Sequence, residues 1–195
     1  NNLNFGGLHV VPATPFLRAR QLNAARLSEH ILRLVVTGIN SFCPGALSGG
    51  FSVLSPSDRL GLLKVVRRTA PGAQVFFPVG PLDPIIKMLI ARAIGCDGFL
   101  VMPTQQTGTD FPAYYRRMLE EAQNLRLPAM VYLKQGMYPD ESAVIAMANN
   151  LQIAAIKCGI ADVGVVMRLR KAIPAHVKII AALGEVDNQR VTGFV

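Results

Sequence analysis

Short apolar runs alternate along this chain with longer amphipathic stretches at a near-constant spacing. Residues 8–14, 41–47, 74–79, 98–103, 129–134, 153–157 and 178–183 have the length and character of buried strands. Residues 23–37, 56–69, 84–94, 111–125, 140–150 and 163–173 carry the helical pattern. Ser55-Pro56, Asp83-Pro84, Asp110 and Pro139-Asp140 supply helix-start signals. Buried strands that alternate with helices imply a parallel sheet covered by those helices.

Two α/β architectures satisfy this alternation, a doubly wound open sheet and a (β/α)8 TIM barrel. No glycine-rich phosphate loop opens the first helix, and the first strand runs instead into Thr14-Pro15-Phe16. The barrel is therefore expected, with its chemistry at the carboxyl ends of the strands. Residues 184–190 are too short for a parallel crossover, which takes about a dozen residues or more. A complete barrel takes about 250 residues, and this chain has 195. We expect a single barrel domain over residues 1–195, incomplete after its seventh strand, with segments missing near 184–190 and beyond Val195.

The chain is 51% hydrophobic and only 16% charged, which fits one well-buried domain and argues against disorder. Apolar runs are broken within about ten residues, so none spans a membrane. The start lacks the basic and apolar regions of a signal peptide. Cys43, Cys96 and Cys158 are dispersed in apolar surroundings, as expected of buried thiols in a reducing, cytoplasmic setting. The net charge of +8 is spread over residues such as Arg18, Arg67, Arg116, Arg168 and Arg170. Most of these read as solvated helix faces. That spread argues against a nucleic-acid patch and leaves a general field that favours small anions.

Within Ile153-Ala154-Ala155-Ile156-Lys157-Cys158-Gly159 stands one lysine. A buried ammonium is costly, so burial favours the neutral amine, which can attack a carbonyl and form a Schiff base. The alternative is that Lys157 has reached the strand end and extends into water. Cys158 faces the other way along the strand and reads as packing. Lys134, two residues after Tyr132, is a rival amine. His9, His30 and His176 share no metal-ligand spacing. Glu185, after the seventh strand, is a weaker candidate.

Several ordered motifs resemble the dihydrodipicolinate synthase / N-acetylneuraminate lyase family of Schiff-base-forming aldolases. Pro12-Ala13-Thr14-Pro15-Phe16 is similar to that family's A-x-x-T-P-F. Leu47-Ser48-Gly49-Gly50 lies where the family has G-T-T-G-E. Asp97-Gly98-Phe99-Leu100-Val101-Met102-Pro103 resembles its D-G-x-L-V-x-P strand, Leu127-Pro128 through Tyr132 its L-P-x-x-x-Y-N, and Ile156-Lys157 its G-I-K. The resemblance implies a catalytic pair, Lys157 as imine former with a 2-oxo acid such as pyruvate and Tyr132 as proton relay. It implies substrate contacts from Ser48, Gly49, Leu47 and Thr14, with backbone N–H groups at Gly49 and its neighbours holding the carboxylate. It implies no metal or organic cofactor, because the imine is the electron sink, and a homodimer or homotetramer.

The chain departs from the family pattern at five places. Leu47 replaces a threonine, Gly50 the glutamate, and Leu133 the asparagine after the tyrosine. The second tyrosine of the family falls near Gln106 and its arginine near Met137. Neither an amide nor a thioether replaces a proton-relaying phenol or a bidentate guanidinium. The expectation is therefore a divergent lyase or synthase that condenses, cleaves or dehydrates another 2-oxo acid. The alternative is a barrel that binds a keto acid without turnover.

Overall fold

The computed structural model describes residues 5, 7–103, 110–137, 140–150 and 153–182. Among these, β1 (Ser41–Phe42), β2 (Gln74–Val79), β3 (Gly98–Val101), β4 (Ala129–Lys134), β5 (Ile153–Gly159) and β6 (Lys178–Ala181) follow chain order in the sheet. The alternating helices are α1 (Ala24–Val36), α2 (Pro56–Thr69), α3 (Ile85–Ile94), α4 (Phe111–Asn124), α5 (Glu141–Asn150) and α6 (Val163–Ala172). The pairs β1–β2, β4–β5 and β5–β6 are parallel. The described residues form two compact units, the first Leu8–Leu100 and the second Phe5, Gly7 and those from Val101 to Ala182.

In the first unit, Val75, Phe76, Phe77 and Val79 of β2 are fully buried. α1 buries Leu27 and Ile31, and α2 buries Leu60, Leu62, Leu63, Val65 and Val66. Each such side chain contributes about 1.5–3 kcal/mol by leaving water. α2 begins with a reciprocal cap. The Asp58 N–H donates to Ser55 Oγ at 3.1 Å, the Ser55 N–H donates to the Asp58 carboxylate at 2.9 Å, and Pro56 fills the first turn.

Three sequence expectations change here. Residues 8–14 form no extended strand, and only Val10 bridges, in parallel, to Phe42. Pro12 and Pro15 each remove a backbone donor, which discourages a continuous ladder. The strand expected over 41–47 stops at Phe42, because Gly45 turns the chain at φ 73° and a 3-10 turn follows at Leu47–Gly49. Asp83 does not cap α3 as expected. Its carboxylate is occupied by the Arg59 guanidinium and by the Gly80 N–H at 2.7 Å.

In the second unit, β4 is buried except for Lys134, and β5 alternates in burial towards its end. Tyr115, Met118, Leu119 and Ala122 of α4 pack as core, as do Val165, Val166 and Leu169 of α6. Asp110 caps α4 through the Ala113 N–H at 3.0 Å, and Asp140 accepts from the Ala143 N–H at 2.8 Å. Not every arginine is a solvated face. Arg67 pairs with Asp97, and Arg170 donates to the carbonyls of Ile173, Pro174 and Val177 at 2.6–3.1 Å.

Candidate active site

Lys157 and Tyr132 are direct register partners across the parallel β4–β5 pair. Partners in a parallel ladder share a face, so both side chains leave the sheet on the same side. The Lys157 Nζ lies 4.4 Å from the centroid of the Tyr132 ring. Cations over an aromatic face at this range are attracted to it. β5 continues two residues beyond Lys157 to Gly159, so the lysine is not at the strand end. Its side chain is half-buried, and Tyr132 is only 1% exposed.

Two neighbours fix Tyr132. The Tyr115 hydroxyl, from α4, donates to the Tyr132 carbonyl at 3.0 Å. Tyr115 is fully buried, and desolvation pushes its pKa well above the ordinary phenol value, so it remains a donor. Gly159 lies under the phenol. A Cβ there would meet Tyr132 Cε2 at 3.1 Å, its hydroxyl oxygen at 3.3 Å and the Leu133 carbonyl at 3.3 Å. Neither contact is visible in the sequence, because both depend on register and helix docking.

Lys134 is the register partner of Gly159 and sits at the edge of β4, half-buried. Met137, at the place of the family arginine, donates its N–H to the Lys134 carbonyl at 2.9 Å. Cys158 lies on the opposite face and is fully buried, as packing requires. Gln106 and Glu185 lie outside the described residues. Among the described residues, no cluster of His, Cys, Asp and Glu could hold a metal. Among the described residues, no helix is long and apolar enough to cross a membrane.

The other predicted residues belong to the first unit. Thr14 Oγ1 donates to the Gly49 carbonyl at 2.6 Å. Gly49 is buried, and a Cβ there would lie 3.1 Å from the Pro12 carbonyl and 3.2 Å from Val11 Cγ1, so a larger residue would press on this loop. The Gly49 N–H closes onto the Ala46 carbonyl at 2.8 Å and the Gly50 N–H onto Leu47 at 3.1 Å. These two donors are therefore spent inside the turn. The Leu47 and Ser48 N–H groups have no acceptor among the described residues, and the Ser48 side chain is exposed. Any anion at this turn would meet the Leu47 and Ser48 amides rather than that of Gly49.

Nearby, the buried Arg59–Asp83 pair was not foreseen. Arg59 also donates to the Leu54 carbonyl at 2.9 Å and lies 4.4 Å from the Phe51 ring centroid. Gly80 leaves room for that ring. His9 is bonded to Ser41 Oγ at 2.6 Å and packs edge-on to Phe76, a structural role.

The model of the dihydrodipicolinate synthetase family matches residues 4–189. The chain is 23% identical over 182 residues to the 4-hydroxy-tetrahydrodipicolinate synthase of Desulforamulus reducens, covering 89% of this chain and 62% of the relative. It is 22% identical over 156 residues to a probable 5-dehydro-4-deoxyglucarate dehydratase of Oceanobacillus iheyensis, covering 78% and 51%. Its structure is similar to that of the dihydrodipicolinate synthase of Acinetobacter baumannii, solved with pyruvate. That likeness has a TM-score of 0.82 at 19% identity and covers 92% of this chain and 64% of that one. The chain thus carries part of a (β/α) TIM-barrel fold and spans between one half and two thirds of the length of these relatives.

Proposed function

We propose that this chain, which belongs to the dihydrodipicolinate synthetase family, is a Schiff-base-forming lyase or synthase acting on pyruvate or another 2-oxo acid. The observation that carries the reading is the Lys157–Tyr132 pair on one face of β4 and β5, with 4.4 Å between amine and ring centroid. In the proposed cycle the neutral Lys157 amine attacks the keto carbon and forms a carbinolamine. The Tyr132 hydroxyl relays the amine proton to the carbinolamine hydroxyl, which leaves as water. The resulting iminium draws electrons from the adjacent carbon. Loss of a proton there gives an enamine, and the enamine attacks an aldehyde, expels a leaving group, or forms in reverse by C–C cleavage. For the turn Leu47–Gly49 we propose a carboxylate-binding role through the Leu47 and Ser48 amides and the Ser48 hydroxyl.

The replacements Leu47, Gly50, Leu133 and Met137 argue for a substrate other than that of dihydrodipicolinate synthase itself. The dehydratase relative supports a sugar acid. We further propose a single barrel domain, a homo-oligomer, a cytoplasmic setting and no cofactor beyond the lysine imine, all on the family pattern.

Borohydride reduction in the presence of pyruvate, followed by intact mass and peptide mapping, tests this reading. The expected result is one reduced adduct on Lys157, absent in Lys157→Ala and Lys157→Arg. An adduct on Lys134 moves the chemistry to that residue. The absence of any adduct on folded protein refutes the imine. An adduct without turnover over a panel of sugar acids and aldehydes selects the keto-acid-binding alternative.

A further inference from the structure

The second unit carries a cavity of about 500 Å³ at the amino-terminal ends of β4 and β5, lined by Arg126, Leu127, Pro128, Ile153, Ala154 and His176. These strand ends are opposite to those that carry Lys134 and Gly159. We propose that this cavity binds a small organic anion, a carboxylate or phosphate monoester with an apolar body, through Arg126 and His176. The volume lies within the range of small-molecule sites. Four of the lining residues form an apolar wall, two are basic, and no carboxylate among the described residues lines it.

The backbone at Arg126 supplies the second argument. α4 closes with the Arg126 N–H donating to the Gln123 carbonyl and the Leu127 N–H donating to the Ala122 carbonyl. This pair of bonds requires a left-handed residue between them, and Arg126 adopts φ 55°. α1 and α3 close with the same pair of bonds, but on Gly38 at φ 91° and Gly95 at φ 106°. At this position an arginine carries a steric penalty that glycine avoids. A cation near a helix carboxyl end does gain from the helix dipole. That gain is open to a basic residue in ordinary right-handed backbone, and α6 takes it that way with Arg170 and Lys171. The dipole therefore does not account for an arginine placed in the strained position. Arg20 also adopts a left-handed φ, of 60°, but Arg126 is the one that lines the cavity, where a bound anion would give the strained arginine a role.

His176 stands on a prearranged turn. The Val177 N–H donates to the Pro174 carbonyl at 3.1 Å, and Arg170 clamps the carbonyls on either side of His176. The backbone that carries His176 is thus ordered before an anion arrives.

Phenyl phosphate is the probe, followed by calorimetry and by the imidazole resonances of His176. The expected result is a saturable shift of His176 and weaker binding of inorganic phosphate, which leaves the apolar wall uncovered. Arg126→Gly should weaken phenyl phosphate by about tenfold or more, while its thermal midpoint stays at or above wild type because the strain is relieved. Lys157→Ala should bind with wild-type affinity, which separates this site from the proposed imine lysine. The proposal is overturned by no saturable binding up to ~10 mM, by wild-type affinity in Arg126→Gly, or by lost binding in Lys157→Ala.

Discussion

Gly159→Ala tests whether the space beneath Tyr132 matters to the proposed chemistry. The added methyl would sit 3.1 Å from Tyr132 Cε2 and 3.3 Å from both its hydroxyl oxygen and the Leu133 carbonyl. Carbon atoms settle at about 3.5–4.0 Å, so each contact is short by a few tenths of an ångström. The Leu133 carbonyl belongs to the buried strand β4 and cannot yield. Tyr132 must therefore move. Its ring is held on one side by burial and on its backbone by the Tyr115 hydroxyl, so the displacement falls on the side-chain torsions. Overpacking of this kind costs about 1–3 kcal/mol, and an off-rotamer ring about 0.5–1.5 kcal/mol of that. A misplacement of ~1 Å at a reacting group costs about a hundredfold in rate, so the smaller displacement here should cost about tenfold.

Two measurements separate the effects. Urea melts should show a loss of about 1–3 kcal/mol, and the rate of borohydride-trapped adduct formation with pyruvate should fall about tenfold. Gly72→Ala is the control. Nothing lies within 4 Å of a Cβ at Gly72, so that variant should stay within about 0.5 kcal/mol of wild type. Wild-type stability together with wild-type trapping in Gly159→Ala would refute the claim that this glycine makes room for the phenol.

Two further outcomes follow from buried groups. Tyr115→Phe removes the donor to the Tyr132 carbonyl and should cost about 1–2 kcal/mol in a urea melt, with kcat lowered and KM for the 2-oxo acid little changed; an unchanged kcat would show that this bond does not position Tyr132. Burial, followed by the neighbouring Asp97, raises the Cys96 thiol from 9.0 to about 12, and burial also raises Tyr115, so both are protonated in the fold when the unfolded chain begins to ionise. The contribution of these two groups to stability should therefore be full below pH 9 and fall between pH 9 and about 12. The Cys96 share is about 1.4 kcal/mol per pH unit, and Cys96→Ala should flatten the slope by about one proton.

The helices were legible because their signals are local. Ser55-Pro56 with Asp58, and Asp110, cap the helices that they announce. Asp83-Pro84 carries the same local signal, yet Asp83 is claimed by Arg59, a residue 24 positions away. A buried guanidinium outweighs a cap, since a charge left unpaired in the core costs more than a helix start gains. Residues 8–14 failed as a strand for the reverse reason. Their apolar character suggested a buried strand, but Leu8 is 65% exposed, only Pro12 among them is buried, and Pro12 withholds a ladder donor.

The pairing of Lys157 with Tyr132 shows most clearly where sequence reasoning stops. Alternation along each strand says only that Tyr132 and Lys134 share one face of β4, and that Lys157 and Gly159 share one face of β5. Which faces coincide is decided by register. At the start of the pair Ala129 faces Ile153, but Met130 faces Ala155, so one extra residue, Ala154, is inserted into β5. Without that insertion Tyr132 would stand beside Ile156, and Lys157 would face Leu133. A one-residue slip moves a side chain to the other side of the sheet. The amine and the phenol would then lie on opposite faces. The irregularity brings together the two groups that the proposed imine chemistry needs, and no local pattern in Ile153-Ala154-Ala155 announces it.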